Sequence, residues 1–137
     1  MTFDDIVRRW VRTPSRVAVV GASPREDRPV ASILGYLVEQ GFTVYPINPG
    51  YAGTEIRGRT CLAGLADLPE PVDLVVFFLA PEKQAESLHR LRELVPRPVA
   101  WFQPGAESPL AEENLRREGY EVVEACILVT HRNVRED

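Results

Sequence analysis

The chain has 137 residues, 45% hydrophobic and 26% charged, the mix of one soluble globular domain rather than of a disordered or membrane-spanning chain. Twenty acidic against 16 basic side chains leave a formal net charge of -4, which argues against broad contact with nucleic acid or anionic lipid. Two cysteines make no disulfide scaffold, the start MTFDDIVRRWV lacks a signal peptide's apolar stretch, and no run of about 18 apolar residues occurs, so the cytoplasm is the expected compartment.

Strand and helix rhythms alternate along the chain. Thr2 can cap a first helix reaching about Arg12, with Asp4 and Asp5 in its first turn. Its residues Arg8, Arg9 and Trp10 are a candidate face for a second copy, though ordinary packing explains them as well. Arg16-Val17-Ala18-Val19-Val20 reads as a strand buried on both faces and closed by Gly21. Pro29 opens a helix whose Val30, Ile33, Leu34, Leu37 and Val38 form one apolar stripe. Phe42 to Ile47 is a second strand, stopped by Asn48-Pro49-Gly50. The glycine-rich stretch that follows, to Val72, reads either as a degenerate crossover with Thr60 capping a turn or two, or as a mobile flap over a ligand.

Asp73 to Leu79 is a third strand. Pro81 starts a helix with Ala85, Leu88, Leu91 and Val95 on one face, and Val99 to Phe102 is a fourth strand. Ser108-Pro109 caps a short helix ended by Gly119, and Glu121 to about Leu128 is a fifth strand. Five strands separated by helices predict a doubly wound, Rossmann-like α/β fold, a five-stranded parallel sheet in one domain over residues 1–137.

In such a sheet the loops at the carboxyl ends of the strands meet in one crevice. Four segments converge there: Gly21-Ala22-Ser23-Pro24-Arg25, Asn48-Pro49-Gly50, Leu79-Ala80-Pro81 and Gln103-Pro104-Gly105. The first is a small-residue turn ahead of a helix N-terminus, where backbone N–H groups and the helix dipole favour phosphate. Ser23 adds a hydroxyl, and Arg25 and Arg28 can hold a second phosphoryl group. Lys83 is the only lysine, all other permanent cations being arginines. A nicotinamide dinucleotide is disfavoured: Ser23 stands where the fingerprint needs its second glycine, and the second strand ends at Asn48 with no acid for the ribose.

The motifs VAVVGAS, Arg28-Pro29, NPGYAG, LADLPEPVD and Trp101-Phe102-Gln103-Pro104-Gly105, with a cysteine in the terminal strand, resemble the stand-alone CoA-binding proteins, themselves similar to the nucleotide-binding domain of the succinyl-CoA synthetase α subunit. The likeness runs from about Pro14 to His131. It implies coenzyme A lying across the carboxyl edge of the sheet, its phosphates at the first loop and its adenosine or pantetheine at the loops after the second to fourth strands. Many relatives resemble DVFR after the third strand, whereas this chain has Val76-Phe77-Phe78-Leu79, so a charged pair is missing and Leu79-Ala80-Pro81 would hold an adenine by apolar contact.

The resemblance implies a non-catalytic carrier, sensor or regulatory module for CoA or an acyl-CoA, alone or as a homo-oligomer. The alternative is a subunit of a CoA- or nucleotide-using enzyme whose catalytic groups come from a partner chain. His89 reads as a surface residue of a helix and His131 as part of a polar tail, and neither has a base, acid or metal partner at useful spacing. Cys126, at the end of the last strand, reads either as a small buried apolar residue or as a contact for the CoA thiol, with Cys61 as the competing thiol.

Overall fold

The computed structural model describes residues 1–135. Helix α1 (Phe3–Ile6) starts in a capping box between Thr2 and Asp5 and continues as a wider π-helical turn over Val7–Val11. The order then runs β1 (Arg16–Val20), α2 (Pro29–Glu39), β2 (Thr43–Ile47), a hairpin of β3 (Glu55–Ile56) and β4 (Arg59–Thr60), and β5 (Leu74–Phe77). It ends with α3 (Ala85–Leu91), β6 (Val99–Phe102), α4 (Pro109–Arg117), β7 (Val122–Glu124) and α5 (Ile127–Val134).

The fold is the doubly wound Rossmann-like α/β domain: five parallel strands in the order β2-β1-β5-β6-β7, with helices on both faces. Alternation along the strands divides the core. Val17, Val19, Val44, Val76, Trp101 and Val123 pack with α1, α2 and α5 on one face, while Ala18, Val20, Val75, Phe77, Ala100 and Phe102 pack with Leu91 of α3 and Leu115 of α4 on the other. Phe77 and Phe102 stack with ring centroids 4.9 Å apart. The order reverses between β1 and β5, so the crevice at their carboxyl ends is the place where such a sheet takes a ligand.

Three expectations change, and the stretch after β2 takes one of the two forms left open. The stretch after β2 is a crossover tied down by its own backbone: the Leu62 N–H donates to the Pro46 carbonyl of β2 while its carbonyl accepts from the Asn48 N–H, Gly53 and Cys61 bond across the base of the hairpin, and Ile56, Cys61 and Leu65 are buried. Thr60 lies in β4 and caps nothing, the helical turn that follows it being Leu65–Asp67. The helix expected from Pro81 to Val95 is a 3-10 turn (Pro81–Lys83) followed by α3, and Val95 is exposed beyond its end. Ser108 caps through its backbone alone, its N–H donating to the carboxylate of buried Glu112 at 2.9 Å.

The largest change is at the end of the chain. The fifth strand stops at Glu124, and Ile127–Val134 is helical. The Ala125 N–H still donates to the Phe102 carbonyl at 3.1 Å, but the Ala125 carbonyl accepts the Trp101 indole N–H at 2.8 Å and the Ile127 N–H donates to the Gln103 side-chain oxygen at 2.7 Å, so side chains take over where the ladder would continue. Ile127, Thr130 and His131, spaced i, i+3, i+4, then face the core. His131 is therefore no tail residue: it is buried, its Nδ1 and the Tyr36 hydroxyl share a hydrogen bond at 2.7 Å, and the Tyr36 and Phe42 rings meet it edge-on.

Candidate functional site

At the crevice between the β1 and β5 ends lies a cavity of about 640 Å³. The loops expected to converge do so. Gly21, Ser23, Arg25, Arg28, Asn48, Leu79, Ala80, Gln103, Pro104, Gly105 and Cys126 all line it. Ala22 is buried behind the wall, Pro24 is half-buried in the same loop, and Pro49, Gly50 and Pro81 are exposed beside it; none of these five lines the cavity. Sequence reasoning missed Pro29, Val30 and Ile33 of α2, Tyr51 after β2, and Phe78 and Lys83 around the β5 tip. For the α2 residues the signal was present, since an N-terminal turn entering a crevice brings its first side chains along.

The first loop is built by β2. Gly21 and Ala22 donate their N–H groups to the Ile47 carbonyl at 2.9 and 3.2 Å, and the Asn48 side chain donates to the Ala22 carbonyl at 2.8 Å while accepting from the Gly50 N–H at 2.9 Å. This corrects the expected anion seat in two ways. The first two amides after Val20 are spent on the sheet, and Asn48 is a brace whose amide is committed to the protein. Among the donors left at the loop are the amides of Ser23 and Val30, which meet no acceptor among the described residues, and the Ser23 hydroxyl, whose oxygen accepts from the Arg25 N–H at 3.2 Å. Pro29, first in α2, brings no N–H.

The two arginines differ. Arg25 makes a forked pair with Asp27 at 3.1 and 2.8 Å, which holds the Asp27 carboxyl below its ordinary pKa. Arg28, at the α2 N-cap, makes no ion pair among the described residues. On the far wall Gln103 is buried; its oxygen accepts from Ile127 and its amide nitrogen lies 3.7 Å from Cys126 Sγ. Cys126 is half-buried at the N-cap of α5, so it faces the cavity rather than the core. Cys61 is buried away from it, and burial pushes its thiol pKa up, which suppresses the reactive thiolate. His89 is exposed on α3, as expected.

The charge of the cavity decides its chemistry. All three charged residues lining it, Arg25, Arg28 and Lys83, are basic, in a chain with more acids than bases. The apolar remainder, Val30, Ile33, Phe78, Leu79, Ala80 and Pro104, suits a ring or an alkyl arm. The model of the CoA binding domain matches residues 15–132.

The chain belongs to that family. It is 28% identical over 126 residues to the uncharacterized protein YneT of Bacillus subtilis, covering 91% of each chain. A 63-residue segment is 41% identical to an ADP-forming acetate–CoA ligase of Archaeoglobus fulgidus, spanning 46% of this chain and 9% of that enzyme. Among solved structures a Thermus thermophilus protein, 34% identical, superimposes with a TM-score of 0.88 over 97% of this chain and 99% of its own. Among the described residues no helix is long and apolar enough to cross a membrane.

Proposed function

We propose that this domain binds coenzyme A at the β1–β5 crevice and acts as a carrier, sensor or regulatory module without catalytic groups of its own. The single observation behind this is the wholly basic charged lining of that crevice in an acidic chain, in a member of the CoA binding domain family. In this reading the pyrophosphate meets the amides of Ser23 and Val30, the Ser23 hydroxyl, Arg28 and, once drawn from Asp27, Arg25. The adenine lies against Leu79 and Ala80, beside Pro81, with Asn48-Pro49-Gly50 and Tyr51 on the β2 side; the pantetheine arm runs past Gln103-Pro104-Gly105 toward the Cys126 thiol. Gly21, Ala22 and Pro24 shape the loop.

Calorimetric titration with CoA, acetyl-CoA, NAD, NADP and ADP tests the reading. CoA should bind most tightly, and Ser23→Asp, which sets a carboxylate against phosphate, should weaken it by about a hundredfold or more with the fold intact. Equal affinity of both proteins for CoA, or a preference for NAD, overturns it.

A second reading has its own support: the ADP-forming ligases carry a similar segment within chains of which it forms 9–11%. There the domain would be one subunit of a CoA-using enzyme, with catalytic groups on a partner chain. Recovery of a stable hetero-complex that forms acyl-CoA, where the domain alone does not, would favour it; a homo-oligomer retaining CoA would favour the first.

A further inference from the structure

Arg28 and Lys83 both line the cavity, and among the described residues neither makes an ion pair. They stand on opposite sides of the sheet. Arg28 caps α2, whose Val30, Leu34 and Leu37 pack on one face; Lys83 ends the turn leading into α3, whose Leu91 packs on the other. A ligand lying across the crevice therefore meets the two cations at separate points.

The turn that carries Lys83 is held firmly. Pro81 fixes its entry, the Lys83 N–H donates to the Ala80 carbonyl at 2.9 Å, and the next residue, Gln84, is wholly buried. The Gln84 amide nitrogen donates to the carbonyls of Leu79 at 2.8 Å and Ala106 at 2.7 Å, tying the turn to the loop after β6. Since both neighbours are carbonyls, the orientation of that amide is fixed. The β5 tip itself, Phe78-Leu79-Ala80, offers no charge, so Lys83 is the one cation that this side contributes to the lining.

We infer that Lys83 reads the 3′-phosphate of the ligand's adenylate and so separates coenzyme A from its 3′-dephospho form. The inference rests on the reading of the crevice as a CoA site. Coenzyme A carries its charge in two places, a pyrophosphate and a phosphomonoester on the ribose, and the cations here also come in two places. With Arg25 and Arg28 at the first loop for the pyrophosphate, the monoester needs a cation beyond the adenine platform. A lysine suits it, being a compact charge on a four-carbon stem with three donors. The monoester is largely dianionic at neutral pH, because its second pKa is about 6.

Titration of CoA and of 3′-dephospho-CoA into the wild type, Lys83→Gln and Lys83→Arg tests this. The wild type should prefer CoA by about tenfold, in the range of one charge-assisted contact, and the preference should shrink as salt is added. Lys83→Gln should bring the two affinities to within about twofold by weakening CoA alone, and Lys83→Arg should keep most of the preference. The side chain is exposed, so the ligand-free melting temperature should not move. A preference that survives in Lys83→Gln, an equal loss for both ligands, or no preference in the wild type overturns the inference while the CoA reading stands. Binding of neither ligand by the wild type overturns that reading as well.

Discussion

Gly21 shows what one residue decides at the crevice. Its φ is +90°, and a Cβ added there would lie 2.9 Å from the Leu79 side chain and 3.2 Å from the Leu79 amide nitrogen. The β1 and β5 tips approach that closely only because the position has no side chain. Gly105, in the loop after β6, has a similar φ of +94° but open space around it. Gly21→Ala should cost about 2–3 kcal/mol and weaken CoA as the two tips move apart, whereas Gly105→Ala should cost about 1 kcal/mol, the backbone strain alone. Denaturant unfolding of both variants checks the difference, and equal losses would mean that the contact with Leu79 is not what matters. Gly21 was legible in the sequence as the end of a strand. Its partner was not, because which residue stands opposite depends on the pairing of Val20 with Phe77.

At the scale of elements, α5 departs furthest from the sequence reading, in which its first residues, Ile127 and Leu128, end the fifth strand. Ile127-Leu128-Val129-Thr130 has the β-branched look of a strand, yet side-chain packing overrides that weak preference. The helical signal, Ile127 with Thr130 and His131, is only three residues long, and the bonds from Trp101 and Gln103 that end β7 come from a distant strand. The helices α2 and α4 were legible from proline at their first positions and a continuous stripe or a closing glycine.

Docking α5 buries a titratable group. Desolvation is the main cause that lowers the His131 pKa, with the Arg135 charge adding to it. A histidine with a depressed folded pKa binds its proton more readily when unfolded. Its contribution is therefore present above the unfolded pKa of about 6.5 and is lost as pH falls below it, down to the folded value. Buried Glu112, whose pKa is raised chiefly by burial, acts in the opposite sense, its contribution fading as pH rises above the ordinary carboxyl range. The clean measurement is the difference between wild type and His131→Gln: it should narrow between pH 7 and pH 5 as the wild type loses stability that the variant lacks. A pH-independent difference would contradict the burial account.

Over the whole molecule the hydrophobic rhythm was enough to place five parallel strands, because runs such as Leu74–Phe77, buried on both faces, have few other uses. Once the strands are ordered, the crevice follows from topology, and most of its lining follows from the strand ends. What could not be read was the interior wiring of the loops: which amides are spent on Ile47, that the Asn48 amide braces the Ala22 carbonyl, and that Asp27 occupies Arg25. Of the basic lining, Arg25 and Arg28 were legible in the first loop, whereas Lys83 was hidden because it reaches the crevice only through the turn after β5. Ligand linkage gives the prediction at this scale: CoA at a hundred times its dissociation constant should stabilise the fold by about 2.7 kcal/mol and raise the melting temperature by several degrees, increasing with concentration. A melting temperature unmoved by CoA, in a scan where the chain unfolds reversibly, would contradict specific binding to the folded state.

The bonds among Gly21, Ala22, Ile47 and Asn48 are all made between the protein's own groups. The backbone at the phosphate end of the groove is thus held in its own right, and beyond drawing the Arg25 side chain from Asp27 little ordering remains for a guest to impose. Association there should be a single fast bimolecular event, with a rate that climbs linearly with CoA concentration and no plateau from a preceding rearrangement.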